Sequence, residues 1–225
     1  MSEIILRPAT PADLPAIAEF FLVNASDMPI YTIGLASCDA FSVSLARTKH
    51  FYAQPYYHFT VAVPASSPSK IIGYICVKDG GDYIEVPFQP DLPEGANKEF
   101  MGYFLGMLEE HKNTLPVKGL PELEMLDVHP EYQRRGIGKL LCGEMLKVVD
   151  AREERCFVHS SRMGKGLYEQ LGWKAIEEQG WEVDLKAYGD EKPYATWDMV
   201  REVRGGKGAE KVLEDVTVNP VELEL

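Results

Sequence analysis

One stretch of this 225-residue chain constrains the fold more than any other: Leu126 to Leu141, which reads L-D-V-H-P-E-Y-Q-R-R-G-I-G-K-L-L. A short apolar strand runs into a turn at His129-Pro130. Gln133-Arg134-Arg135-Gly136-Ile137-Gly138 follows, and an apolar-periodic helix begins with Lys139-Leu140-Leu141. Glycines without a Cβ let the backbone approach a ligand closely and turn its N–H groups inward. At the start of a helix, unpaired N–H groups and the positive dipole end favour an anion. Arg134 and Arg135 add charge suited to a pyrophosphate. A strand, a glycine loop and a helix in that order belong in an α/β protein.

The rest of the chain fits one sizeable domain. Hydrophobic residues make up 45% and charged residues 26%, normal for a globular chain. No apolar run reaches the roughly 20 residues that span a bilayer. The opening M-S-E-I-I-L-R-P lacks the basic and apolar regions of a signal peptide. Cys38, Cys76, Cys142 and Cys156 are scattered, with no C-x-x-C pair, so reduced thiols in the cytoplasm or nucleus are expected. A net charge of −12 argues against nucleic acid as a partner.

Periodicity and punctuation give the element order. Ile4 to Thr10 reads as a strand, and Thr10-Pro11-Ala12-Asp13 as a helix start continuing through Phe21. Asp39 to Phe51 predicts a second helix anchored by Phe41 and Leu45. Tyr57–Val63 and Ile71–Lys78 form a hairpin, with Gly73 marking a bulge or a close approach. Asp79 to Pro121 interrupts the pattern and holds a helix from Asn97 to His111, in which Gly102 and Gly106 read as packing positions. Strands at 123–128, 156–160, 181–188 and 194–203 and helices at 138–150 and 164–171 complete the domain, with Gly172 as a stop. Gly205-Gly206-Lys207-Gly208 breaks the pattern before an acidic tail, in which Val212–Val221 could add an edge strand. The expected layout is one domain over residues 1–204 with an insertion near 79–121, and a tail over 205–225.

Two segments carry a resemblance. Gln133, Gly136 and Gly138 match Q/R-x-x-G-x-G/A, the acetyl-CoA-binding motif of the GNAT acetyltransferases. Cys156 to Trp173, ending L-Y-E-Q-L-G-W, resembles the second signature of that family, and I-L-R-P-A-T-P-A-D-L resembles its usual opening. Many members carry Asn seven residues before the tyrosine; Ser161 stands there, as in a fungal-type subset. The resemblance spans most of residues 3–204. It implies a mixed, mostly antiparallel sheet of six or seven strands flanked by helices, with acetyl-CoA as co-substrate.

It also implies site residues. The main chain of Leu126, Asp127 and Val128 would polarise the thioester, while Gln133, Arg134, Arg135, Gly136, Ile137, Gly138 and Lys139 would hold the pyrophosphate. Ser161, Gly164 and Tyr168 would line the cofactor from the last helix, with Tyr168 protonating the leaving thiolate. Glu122 and Glu124 lie two apart on one strand and are read as sharing a face with Leu126 and Val128; either could accept the amine proton.

The histidines lack zinc-site spacing, there is no G-x-S-x-G elbow and no Walker loop, so no metal is expected. The reaction implied is acetylation of a primary amine by direct attack. A small-molecule acceptor is favoured over a peptide because the chain has no accessory recognition module. A catalytically inactive acyl-CoA sensor or scaffold is the competing reading. Homodimers are common among such folds. The 79–121 insertion is expected to shape the acceptor side.

Overall fold

The computed structural model describes residues 3–25, 28–89 and 91–203. The expected tail over 205–225 and its edge strand at Val212–Val221 lie outside the described residues. In chain order the elements are β1 (Ile4–Pro8), α1 (Leu14–Asn24), α2 (Ala40–Tyr52), β2 (Tyr57–Pro64), β3 (Gly73–Lys78), α3 (Lys98–Thr114), β4 (Glu122–Val128), α4 (Ile137–Ala151), β5 (Cys156–Ser161), α5 (Arg162–Gln170), β6 (Lys174–Ala175), β7 (Trp181–Val183) and β8 (Tyr194–Arg201). They build one eight-stranded sheet in the order β1-β2-β3-β4-β5-β8-β6, with β7 also paired to β8. Only β4 and β5 are parallel.

Two short strands raise the count from the expected six or seven to eight. β6 and β7 occupy successive lengths of the same edge of β8. The strand expected over 181–188 stops at Val183, because the Asp184 carboxylate accepts the Lys186 N–H at 3.0 Å and turns the chain.

The local signals account for most helix starts. Before α1, the Thr10 N–H and hydroxyl both donate to Asp13, at 2.7 and 2.8 Å, closing a short turn over Pro11–Asp13. Arg7 clamps the same carboxylate from β1. Asp39 caps α2 and Asn97 caps α3, each accepting the N–H three residues on. Two packing expectations are corrected. Phe41 lies on the solvent face of α2, whose buried side is Val43, Ser44 and Thr48. Gly102 and Gly106 face open space, with nothing within 4 Å of where a Cβ would stand. Gly73 is a close approach: an added Cβ would sit 3.1 Å from the Asp127 carbonyl and 3.2 Å from Ile137.

Helices cover both faces of the sheet. α4 and α5 pack on one, over a core of Ile72, Ile75, Leu123, Leu141, Leu146, Val158 and Trp173. α1 and α2 pack on the other, over Phe59, Val61, Tyr74 and Met125. α3, from the 79–121 insertion, extends that second layer over the far strands through Phe104 against Val183 and Leu185. Arg201, the last residue of β8, is 1% exposed and ties the sheet to α4: its Nη2 lies 2.8 Å from Asp150, and its Nε donates to the Leu171 carbonyl. The four cysteines are free thiols, and Cys76, Cys142 and Cys156 are buried. No helix among the described residues is long and apolar enough to cross a membrane.

Candidate active site

The sheet opens at its centre. β4 and β5 pair only at Glu122–Phe157 and Leu123–Val158, and beyond those two positions the strands part. Residues 125–128 of β4 therefore keep β3 on one side and, among the described residues, have no strand on the other. The His129 N–H donates to the Ile72 carbonyl across β3 at 3.0 Å. Alternation along the strand then turns the main-chain groups of Leu126 and Val128 toward the gap, and those of Asp127 toward β3. Of the three residues expected to offer main chain to a ligand, Leu126 and Val128 are so placed.

A second irregularity reverses side-chain parity. The β3–β4 register steps from Cys76–Met125 to Val77–Leu123, which leaves Glu124 as the extra residue of a bulge. Glu122 and Glu124 share a face as expected, but Leu126 and Val128 do not join them. Those two pack against the α4 core, while Met125 and Asp127 turn to the α1 side. The bulge puts Asp127, not Leu126, on the face of the glutamates.

At the end of β4 the loop forms a cradle of donors. Arg134 (φ 61°) and Gly136 (φ 83°) both take the left-handed conformation. Gly136 starts α4 with no side-chain cap. Among the described residues, the N–H groups of Arg134 through Lys139 find no backbone acceptor; the first to do so is Leu140, which donates to the Gly136 carbonyl. Six successive free donors at a helix start favour an anion. Arg135 stacks over the Tyr132 ring, and Lys70 donates to the Tyr132 hydroxyl at 2.8 Å, so cations gather on one side of the loop. The Ile137 side chain goes into the core and leaves only its main chain for a ligand. Gly138 lies against α5, where a Cβ would meet Leu167 at 3.2 Å. The Gln133 side chain turns inward: its Nε2 donates to the Val128 carbonyl at 3.1 Å and to Asn24 at 3.2 Å.

α5 borders the gap from β5. Ser161 caps it, accepting the Gly164 N–H at 3.4 Å. Gly164 is required by Tyr168, whose ring lies 2.8 Å from where a Cβ would stand. Tyr168 packs edge-on against Trp173 and is nearly buried, and its hydroxyl makes no hydrogen bond to the described residues. Burial, with smaller contributions from Cys142 and Asp127, pushes its pKa well above the ordinary phenol value, so it holds its proton at neutral pH.

The carboxylates beside the gap differ in their partners. Glu122 lies where β4 and β5 still pair, and Lys112 of α3 binds both its oxygens at 2.8 Å. Burial and the neighbouring Glu124 raise its pKa, against the pull of Lys112. Glu124 accepts from Arg47 of α2 at 3.3 Å. Asp127 has no ion pair among the described residues. It accepts from the Tyr74 hydroxyl at 2.8 Å and from Asn24 at 3.1 Å, and burial raises its pKa to about 6.

One further group escapes a reading by motif. His159 is the first β5 residue beyond the last β4 pair. Asp198 of β8 binds its Nδ1 at 2.8 Å and the His111 Nε2 at 2.7 Å, and His111 stacks on Trp181 at 4.2 Å. No sequence spacing joins these residues; β8 and α3 bring them together. Asn24 is similarly invisible, since its link to Asp127 spans the interior of the domain. For Asp127 the signal was its place two residues before His129-Pro130, but it pointed to the main chain rather than the carboxylate.

Residues 96–187 match the acetyltransferase (GNAT) domain family. An uncharacterized N-acetyltransferase of Schizosaccharomyces pombe is 22% identical over 191 residues, covering 75% of this chain and 80% of that protein. Among solved structures, a histone acetyltransferase HPA2 and related acetyltransferase from Corynebacterium glutamicum superimposes with a TM-score of 0.59 at 15% identity, covering 91% of this chain and 98% of that one. NAA60 of Arabidopsis thaliana, solved with a bisubstrate analogue, gives 0.54 at 15% identity over 91% and 100%. At such identities the structures speak for the fold.

Proposed function

We propose that this protein, which belongs to the GNAT N-acetyltransferases, takes its acetyl group from acetyl-CoA and passes it to a small primary amine by direct attack. The observation that carries the reading is the coincidence of two sets of backbone groups: six N–H groups from Arg134 to Lys139 with no backbone acceptor among the described residues, and the gap-facing main chain of Leu126 and Val128, where β4 has left β5 and only the Val128 carbonyl is engaged, by Gln133. The first set suits a pyrophosphate, with Arg134, Arg135 and Lys139 supplying charge. The second suits the amides of an extended chain and a thioester oxygen on which negative charge develops. Ser161 and Gly164 border the same gap, Gly164 by letting Tyr168 lie against its helix.

Tyr168 is the proton donor in this reading. A protonated phenol with an unengaged hydroxyl is suited to deliver its proton to a departing thiolate. Glu122 is held on both oxygens by Lys112, while Glu124 accepts one longer bond from Arg47, so each expected base is paired with a cation that favours its charged form and lowers its basicity. α3 favours a small acceptor. It is joined to the turn at 30–34 through the Asn97 N–H to the Gly34 carbonyl, and to the segment after β7 through the Tyr103 hydroxyl to the Asp184 carbonyl, at 2.8 and 3.0 Å. A helix fixed to both flanks restricts the length of acceptor that can lie between them.

Calorimetric titration with acetyl-CoA, and with CoA as control, tests the reading. Saturable one-site binding is expected, weakened by at least about tenfold in Gly136→Glu, which fills the cradle and strains a left-handed position. Unchanged affinity in a folded variant refutes the cradle. Tyr168→Phe should keep that affinity and lose about a hundredfold in turnover; an unaltered rate removes Tyr168 from the mechanism.

A further inference from the structure

Among the described residues, Glu122, Glu124 and Asp198 on the second sheet face each have a basic side chain as partner, and Asp127 does not. Lys112 faces Glu122, Arg47 faces Glu124, and His111 and His159 face Asp198. Asp127 is held only by neutral donors, the Tyr74 hydroxyl and the Asn24 amide. It lies on the part of β4 that has left β5. The groups facing it from the surrounding elements are Asn24 of α1, Tyr74 of β3, Arg47 of α2, Tyr31 of the α1–α2 connection and Tyr168 of α5. Arg47 acts on it through its field, without an ion pair. The Asp127 charge contributes to the raised pKa of Tyr168, although the two come from opposite faces of the sheet. An acid and a base set across one gap can serve the two ends of one transfer.

Asn24 connects this carboxylate to the anion cradle. Its Oδ1 accepts from Gln133, whose other acceptor is the Val128 carbonyl, and its Nδ2 donates to Asp127. The chain Gln133–Asn24–Asp127–Tyr74 therefore runs from the first residue of the glycine loop to the acceptor face. It orients the carboxylate by engaging each oxygen once, Oδ1 by Asn24 and Oδ2 by Tyr74.

We propose that Asp127 receives the proton of the acceptor ammonium, and that Asn24 and Gln133 are positioning residues linking that carboxylate to the cofactor loop. The inference rests on the acetyl-CoA reading above. The steps balance. The ammonium gives one proton to Asp127, which passes it to solvent. The neutral nitrogen forms the C–N bond and the C–S bond breaks. The Tyr168 hydroxyl protonates the thiolate, and the phenolate recovers its proton from the nitrogen of the new amide. A carboxylate hydrogen-bonded to neutral donors and without an ion pair among the described residues favours a cationic primary amine over a neutral or acidic acceptor.

The test uses the full chain in three measurements: acetyl-CoA affinity by calorimetry, carbon-13 NMR titration of the Asp127 carboxyl, and the pH profile of acetyl transfer to tryptamine, spermidine and a short free-amine peptide. Asp127→Asn should bind acetyl-CoA as the wild type does, and should lose about a hundredfold in turnover together with the acidic limb of the profile. Asn24→Ala removes a bond that favours the charged carboxylate, so the titration and the limb should both move to higher pH. A merely structural role would lower the rate and leave the limb in place. An Asp127 signal titrating in the ordinary range near 4 overturns the proposal whichever amine is used. So does an acidic limb that survives in Asp127→Asn and disappears in His159→Asn, which would assign the proton to the imidazole. Failure of the folded wild type to bind acetyl-CoA removes the cofactor reading itself, and is seen before either variant is compared.

Discussion

Asp127 should cost the protein stability at neutral pH, and the cost can be worked out. Its carboxyl ordinarily titrates at 3.8 and burial raises this to about 6. The folded protein thus holds the proton more tightly than the unfolded chain does. The resulting stabilisation is complete below about pH 4 and is lost as the pH rises through about 6. The difference corresponds to roughly 3 kcal/mol, as an order of magnitude. Asp127→Asn abolishes the charge and keeps an acceptor for Tyr74. It also sets one amide NH2 against the Asn24 NH2, which sacrifices a hydrogen bond of about 1 kcal/mol. The variant should therefore be about 2 kcal/mol more stable than the wild type at pH 7.5, and slightly less stable at pH 4. Urea denaturation of both proteins at several pH values between these limits measures the difference directly, and other titrating groups cancel in the comparison. A difference that stays constant within about 0.5 kcal/mol across the range refutes the reasoning. A gain in stability paired with a loss of turnover is the mark of a charge kept buried for function.

Other substitutions separate packing from chemistry. Gly164→Ala sets a methyl 2.8 Å from the Tyr168 ring; displacing the ring should lower turnover at least about tenfold and leave acetyl-CoA affinity nearly unchanged, and kinetics beside calorimetry decide. Arg201→Ala strands the Asp150 carboxylate in the interior and should cost about 3–5 kcal/mol by urea denaturation, whereas replacing both partners by apolar residues of similar volume should cost far less. Equal losses in the two cases would mean that the pair itself, rather than the orphaned charge, carries the stability.

The glycine loop was legible in the sequence because its signals are local. Glycine spacing, the His129-Pro130 turn and the change from a two-residue to a 3.6-residue period all fall within sixteen residues, and the structure keeps them together. Parity along β4 was not legible. Glu122-Leu123-Glu124-Met125-Leu126-Asp127-Val128 looks like an ordinary alternating strand, and a bulge adds its extra residue without altering composition. The bulge alone moved Leu126 and Val128 away from the glutamates and put Asp127 in their company. The Asn24–Asp127 and His159–Asp198–His111 contacts were out of reach for another reason: they join residues distant in the chain through packing that no periodicity encodes. The shortness of β6 and β7 hid them similarly, since two or three residues do not make a pattern.

Two register pairs are a thin seam between β1–β4 and β5–β8. α3 crosses it. Adjacent residues of that helix reach opposite banks: Lys112 binds Glu122 on β4, and His111 binds Asp198 on β8. The inserted helix is thus a staple across the seam. A segment that reads in the sequence as an interruption of the fold joins its two half-sheets by side-chain contacts.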